Sequence, residues 1–298
     1  MISIGFDIGG TSIKAGLFDS DMNFLSKRSI AFNKELGYHN IIITMHGTAV
    51  EMLSENGLGT GDISSIGIAS AGEIDQARGR IIRAYNLDFY DVPICEEMNS
   101  YFPGVPVNLI NDADAAALAE LHKGALAGYG SALLLTVGTG LGGGLIIDGK
   151  LYSGGLKNGT EVGHVLLSRD GPMCTCGKRG CIEAFCSATW LVNKGKPLGY
   201  LGAKAVIDAA KSGEPAAVDI FNEYIENFSD AIASLANLLD PEIVALGGGV
   251  SLAGDFLFEP LREKMEKKSF FKHKYPIVPA LLGNDAGTIG AAATGKGI

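Results

Sequence analysis

The sequence has no apolar run approaching the roughly 18–20 residues needed to span a bilayer, which excludes a transmembrane helix. Its first residues carry an acid at Asp7 and no basic region, so no secretory signal is expected and the setting is read as cytoplasmic. Positive charge is scarce. The chain has 24 Lys and Arg against 33 Asp and Glu, a formal net charge of −9, and no basic cluster beyond the short patch at Lys264–Lys268. Neither a nucleic acid nor a membrane surface is therefore expected as a partner. Cysteine is too sparse for a disulfide framework, and the five present are expected to be reduced. No low-complexity stretch or clear linker interrupts the 298 residues, which suffice for one large or two medium domains.

Glycine is abundant: 42 residues, about twice the usual share. It concentrates where chemistry is expected. The apolar strand Ile2–Phe6 delivers Asp7, then Gly9 and Gly10, and a second alternating run follows from Ile13 to Phe18. Strand, glycine turn and strand make a β-hairpin. At its tip, bare backbone amides can approach an anion, phosphate above all. Thr11 adds a hydroxyl and Lys14 a positive charge, while Asp7 can hold a hydrated Mg²⁺. The device recurs about 130 residues later: strand Ser131–Val137, a glycine loop over 138–144, and a second strand from Leu145 closed by Asp148-Gly149. Gly138, Gly140 and Gly143 also spell the dinucleotide-binding fingerprint. That motif needs a helix after its glycines, and here a strand follows, so the dinucleotide assignment is rejected. Two phosphate hairpins suggest two related halves acting on one nucleotide.

Alternating strands and helices point to an α/β fold. Strands are expected at Phe24–Phe32, Ile63–Ala69, Val105–Ile110 and Glu242–Leu246, and helices over 38–56, Asp112–Ala127, 214–239 and about 284–296. Asn111-Asp112 falls where a buried strand gives way to a helix, the edge at which ligands bind in open α/β sheets. Asp112 suits a base for a sugar hydroxyl; equally, either residue suits an N-cap. Asp114, two residues along the helix, should point elsewhere. Gly247-Gly248-Gly249 follows a strand, and so bare a backbone suits either the flat face of an adenosine or a helix-packing turn. Cys174, Cys176 and Cys181, with His164 ten residues before the first, offer four ligands of the types a tetrahedral Zn²⁺ prefers. A closed set of four implies a structural ion. Cys95 and Cys186 are read as core residues.

Asp7-Ile-Gly-Gly-Thr11, Asn111-Asp112-Ala113, Gly138-Thr139-Gly140, Glu161-Val-Gly-His164 and Cys174-Thr-Cys-Gly-Lys-Arg-Gly-Cys181-Ile-Glu183 resemble the motifs of the ROK family. That family comprises sugar kinases, related repressors and open reading frames within the actin-like ATPase superfamily, and the resemblance spans essentially the whole chain. It implies two actin-like (ribonuclease H-like) domains around a central cleft. The small one would be 1–112 plus a C-terminal helix at about 284–298; the large one, 113–283, would carry the zinc loop. It implies an ATP- and Mg²⁺-dependent hexose kinase that forms a homodimer, with Asp112 as catalytic base. The sugar would be held by Gly72, Asn86, Asn111, Asp112, Glu161, His164 and Glu183. The nucleotide would be held by Asp7, Gly9, Gly10, Thr11, Lys14, Gly138, Thr139, Gly140, Gly248 and Gly249. Two segments depart from the family pattern. Asn86-Leu87-Asp88-Phe89-Tyr90 stands in place of Asn-Leu-Pro-Gly-Trp, and Gly154–Thr160 lacks the usual Gly-Ala-x-Gly-x-Ala-Gly. Both bear on which hexose is used: glucose, N-acetylmannosamine, N-acetylglucosamine, fructose, allose or a β-glucoside. A ROK-type transcriptional regulator is the alternative class. It is disfavoured because such repressors carry a DNA-binding segment before the hairpin that here starts at residue 2.

Overall fold

Nearly every residue of Ile2–Ile8 is buried, and the run forms the central strand β1 of a five-stranded sheet in the computed structural model, which describes Met1–Gly295. Strands β2 (Ser12–Phe18) and β3 (Phe24–Ala31) extend the sheet antiparallel on one side. Helix α1 (Gly37–Glu55) turns its Ile41, Ile42, Met45, Ala49, Met52 and Leu53 into the core, and the chain reverses at Asn56-Gly57. Strand β4 (Ile63–Ser70) then lies parallel to β1 on its other side. A small antiparallel sheet follows, made of β5 (Glu73–Asp75), β6 (Arg80–Ala84) and β7 (Phe89–Val92). Helix α2 (Ile94–Tyr101) leads to β8 (Val107–Asn111), which pairs parallel with β4 and passes straight into α3 (Asp112–Lys123). The Ala-Leu pattern of α3 continues to Ala127, but the helix stops before Gly124, where a turn takes over.

Strands β9 (Ala132–Val137), β10 (Leu141–Ile147) and β11 (Lys150–Leu151) open a second sheet. Short helices α4 (Ile182–Cys186), α5 (Ala188–Gly195) and α6 (Ala203–Lys211) precede the longest one, α7 (Pro215–Leu239), whose buried face includes Ile220, Tyr224, Phe228 and Ile232. Strand β12 (Ile243–Gly247), helix α8 (Asp255–Lys268) and strand β13 (Ile277–Pro279) complete the sheet. The first sheet runs β3-β2-β1-β4-β8 and the second β11-β10-β9-β12-β13, so the same strand order occurs twice. In each, a hairpin supplies the first two strands and parallel strands follow.

The last helix, α9 (Ala286–Thr294), packs on β1, β4 and β8 of the first sheet. Small residues make this approach possible: a Cβ on Gly67 of β4 would lie 1.7 Å from the Ala291 carbonyl oxygen. One compact unit comprises Met1–His122, Leu151–Thr160 and the chain from Asn284; the other comprises Lys123–Lys150 and Glu161–Gly283. Of the C-terminal helix expected at about 284–298, positions 296–298 lie outside the described residues.

One expectation needs correction. The glycine loop expected over 138–144 is shorter: only 138–140 turn, and β10 begins at Leu141. Gly143 is a strand residue because Val162 packs on it, with a Cβ there meeting Val162 Cγ2 at 2.5 Å and the Leu134 carbonyl oxygen at 2.8 Å.

Candidate active site

In the first unit, register assembles the site. Ile8 is opposite Ser70 in the parallel β1–β4 pair, and Ser70 is opposite Asn111 in the β4–β8 pair. The carboxyl ends of three parallel strands therefore present Ser70 and Asn111 in line with Ile8, and Asp7 lies one residue back on β1. Asp7 lies across the hairpin from Lys14, whose Nζ is 3.4 Å from its Oδ2. Burial pushes the Asp7 carboxyl above its ordinary range, and Lys14 pulls it back down. Gly9 N–H donates to the Ser12 carbonyl and closes the turn. Gly10 is different. Its φ is not positive and a Cβ there would meet nothing within 4 Å, so no protein neighbour explains the missing side chain.

Asn111 caps α3: its Oδ1 accepts the Ala113 amide at 2.9 Å and the Asp114 amide at 3.3 Å. Its Nδ2 reaches the Gly72 carbonyl at 3.5 Å. Asp112 opens the helix and is half-buried, with its Oδ1 2.9 Å from the Ala113 amide. Asp114 is 2% exposed and turned inward, and Gly159 lies against it and against Asn111. Gly72 has φ +98°, and a Cβ would strike the Arg83 carbonyl oxygen at 2.3 Å, so the fold itself demands this glycine. Asn86 stands exposed on the β6–β7 turn, over buried Leu87 and Phe89.

The second unit builds around the turn Gly138-Thr139-Gly140. Gly138 N–H donates to the Gly140 carbonyl at 3.0 Å. Beside it, Gly247 ends β12 opposite Thr136, and Gly248, at φ +85°, would place a Cβ 2.3 Å from the Val137 carbonyl oxygen. Gly248 is thus required by packing, whereas a Cβ on Gly249 would meet nothing.

One ring nitrogen of His164 and the sulfurs of Cys174, Cys176 and Cys181 all lie within 4.8 Å of one another. The Cys176–Cys181 sulfurs are 3.7 Å apart and His164 Nδ1 is 3.5 Å from Cys174 Sγ. A tetrahedral zinc with Zn–S of about 2.3 Å and Zn–N of about 2.0–2.1 Å has edges of about 3.5–3.8 Å. The knuckle is shaped by Gly177 and Gly180, at φ +84° and +77°, and by Cys174 N–H donating to the Lys178 carbonyl at 2.8 Å. The other ring nitrogen, His164 Nε2, faces Glu161 Oε2 at 3.9 Å. Cys95 and Cys186 are buried away from this cluster, and burial raises both thiols, Cys95 to about 12.

Glu183 has contacts that its sequence position does not foretell. Its Oε2 accepts the Leu141 amide at 3.1 Å, and its Oε1 accepts the Thr175 hydroxyl at 2.6 Å and the Cys174 thiol at 3.4 Å. One carboxylate thus joins the cysteine loop to the start of β10. Sequence reasoning also missed Thr189, whose hydroxyl donates to the Thr139 carbonyl at 2.6 Å. No motif marks it; only the fold brings α5 under the turn.

The ROK family model matches residues 3–297. A glucokinase of Thermotoga maritima is 35% identical over 310 aligned residues, covering 97% of this chain and 96% of its own. Among solved structures, a ROK hexokinase from Thermus thermophilus has a TM-score of 0.88 at 35% identity, covering 99% of this chain and 97% of that one. A ROK family glucokinase from Streptomyces griseus, solved in complex with glucose and AMPPNP, has a TM-score of 0.84 at 33% identity and 100% coverage of both chains. A family match from end to end, with relatives a third identical over the same span, makes this chain a member of the ROK family.

Proposed function

We propose that the protein is an ATP-dependent hexose kinase. It would transfer the γ-phosphate to a sugar hydroxyl, the 6-OH of glucose, N-acetylmannosamine or a related hexose. The observation that carries this is the placement of the acid at the start of α3: Asn111 accepts both the Ala113 and the Asp114 amides, while Asp112, half-buried, shares of these only the Ala113 amide. Asp112 is the base. It accepts the hydroxyl proton and aims the oxygen at phosphorus, while alignment and electrostatics supply most of the rate. Asn111, Glu161, His164 and Glu183, with Gly72 and Asn86, are the sugar-binding set, polar groups suited to a ring of hydroxyls. Amides of the two glycine turns, with Thr11 and Lys14, take the phosphates, and Gly248-Gly249 lies against the nucleoside. Gly10 supports this assignment, since an approaching ligand supplies the reason for glycine that the protein does not.

Mg²⁺ would be held through water by Asp7 and would neutralise charge on the phosphates. The Cys174-Cys176-Cys181-His164 set fits a structural zinc, whose service is to hold the loop that carries His164 and leads to Glu183. A homodimer in the cytoplasm completes the proposal. Among the described residues no helix is long and apolar enough to cross a membrane.

A coupled assay of ADP release across a hexose panel tests it. The panel is glucose, N-acetylmannosamine, N-acetylglucosamine, fructose, allose and a β-glucoside. Sugar-dependent release with at least one of them is expected, at many times the sugar-free rate. Equal rates with and without every sugar would remove the kinase assignment.

A further inference from the structure

The turn Gly138-Thr139-Gly140 is pinned from one side by the first two residues of α5. Ala188 N–H donates to the Gly138 carbonyl at 2.9 Å, and the Thr189 hydroxyl donates to the Thr139 carbonyl at 2.6 Å. A trans peptide is planar, so its C=O and the following N–H point in opposite directions. Pinning the carbonyl of 138 towards α5 therefore turns the amide of Thr139 away from α5, and pinning that of 139 does the same for the amide of Gly140. The next carbonyl, of Gly140, accepts from Gly138, and the next amide, of Leu141, goes to Glu183. Two consecutive amides are thus left aimed the same way. The arrangement serves the helix too: Ser187 makes no side-chain cap, and the Gly138 carbonyl satisfies the first amide of α5 in its place.

We propose that Thr189 is a positioning residue for phosphate binding: its hydroxyl fixes the Thr139 carbonyl so that the Thr139 and Gly140 amides are preset towards the nucleotide. The proposal rests on the phosphate role assigned to this turn. A turn free to rotate its peptides would have to be ordered at each binding event, and presetting removes that cost. Thr189 acts in this proposal only through the carbonyl it holds, so its loss should appear in nucleotide affinity and not in sugar affinity. The methyl group of threonine is not part of the device.

The test is a set of three variants, measured by calorimetric titration with Mg-ADP in the absence of sugar and by steady-state kinetics. Thr189→Val keeps the shape and deletes the hydroxyl. It is expected to raise the Kd for Mg-ADP and the KM for ATP about tenfold, the equivalent of one hydrogen bond. The KM for the sugar and the melting temperature should stay at the parent values. Thr189→Ser restores the hydroxyl and should return both nucleotide constants to within about twofold of the parent. Ala188→Pro deletes the other pin at a helix position that tolerates proline, after a Ser187 already extended, and should weaken nucleotide binding likewise. If Thr189→Val binds Mg-ADP as the parent does, or if Thr189→Ser is as impaired as Thr189→Val, the proposal is wrong while the kinase assignment stands. If the parent binds Mg-ADP and the variants behave as described, yet no hexose drives ADP release, the kinase assignment fails and the positioning role survives. A parent that binds no Mg-nucleotide removes both.

Discussion

Asn111 and Asp112 are chain neighbours in different surroundings, although both accept the Ala113 amide. Asn111 ends a strand with its side chain over the first amides of α3; Asp112, one residue on, is half-buried instead of sealed inside like Asp114. An Asp112→Asn variant keeps the size and the hydrogen-bonding atom that meets the Ala113 amide at 2.9 Å, and loses the basicity. The expected result is a kcat lower by roughly 100- to 10,000-fold, with the melting temperature and the sugar dissociation constant close to those of the parent. Steady-state kinetics beside a sugar titration checks this, and a kcat within threefold of the parent would reassign the base. Residue types and spacing marked Asn111-Asp112 as a strand-to-helix junction and His164, Cys174, Cys176 and Cys181 as one ligand set, while the base at Asp112 came from the family resemblance. What they could not convey is direction. Glu183 and Thr189 have partners on β10 and in the turn, 42 and 50 residues away in sequence, and local pattern holds no trace of either bond. Asn111 and Asp112 are equal candidates for the cap by sequence; in the structure both accept the Ala113 amide, and Asn111 accepts that of Asp114 as well.

At the scale of elements, the strands and helices that have one apolar face, such as α1, α7 and β1, follow from periodicity, because burial of that face dictates their form. Boundaries set by close packing do not follow. The glycines 142–144 read as loop because glycine is rare in strands, yet they are strand because Val162 and Leu134 crowd Gly143. The same physics governs α9. The resemblance implied that this helix belongs with the small domain; the strands that receive it, β1, β4 and β8, were not foretold. Gly67 on β4, Gly5 on β1 and Gly290 on α9 would each bring a Cβ within 1.7–2.1 Å of a backbone oxygen, that of Ala291, Thr288 and Ala115 respectively. No rotamer relieves a clash between a Cβ and a carbonyl; the helix itself must move. Gly67→Ala is therefore expected to cost about 3 kcal/mol or more of stability. Urea unfolding followed by ellipticity measures it, and an unchanged midpoint would mean that α9 does not rest on β4 at this distance.

The whole molecule repeats one strand order in two units, each with its own apolar core: one centred on Phe6, Ile68, Met45 and Leu109, the other on Leu135, Tyr224, Phe228 and Leu246. The repeated hairpin made the duplication legible, since both first strands end in glycine turns. The pairing of β4 with β8 and of β12 with β13 was not, because parallel partners are far apart in sequence and their apolar runs carry no register signal. Only the second unit holds the cysteine loop and the single tryptophan, Trp190, which is buried beside Tyr224 in that unit's core. Its fluorescence therefore reports the unit that a zinc held by the cysteine loop would stabilise. A structural ion that binds the folded loop and not the unfolded chain shifts the folding equilibrium by mass action. Metal analysis should find one zinc per chain. Stripping it with a chelator, or substituting Cys176→Ser, should lower the Trp190 transition by at least about 5 °C. Gly67→Ala, a change in the other unit, should lower the ellipticity transition without moving the Trp190 signal to the same extent. A metal-free preparation whose Trp190 transition matches that of the untreated protein would show that the four ligands hold their geometry, and the loop its place, without an ion.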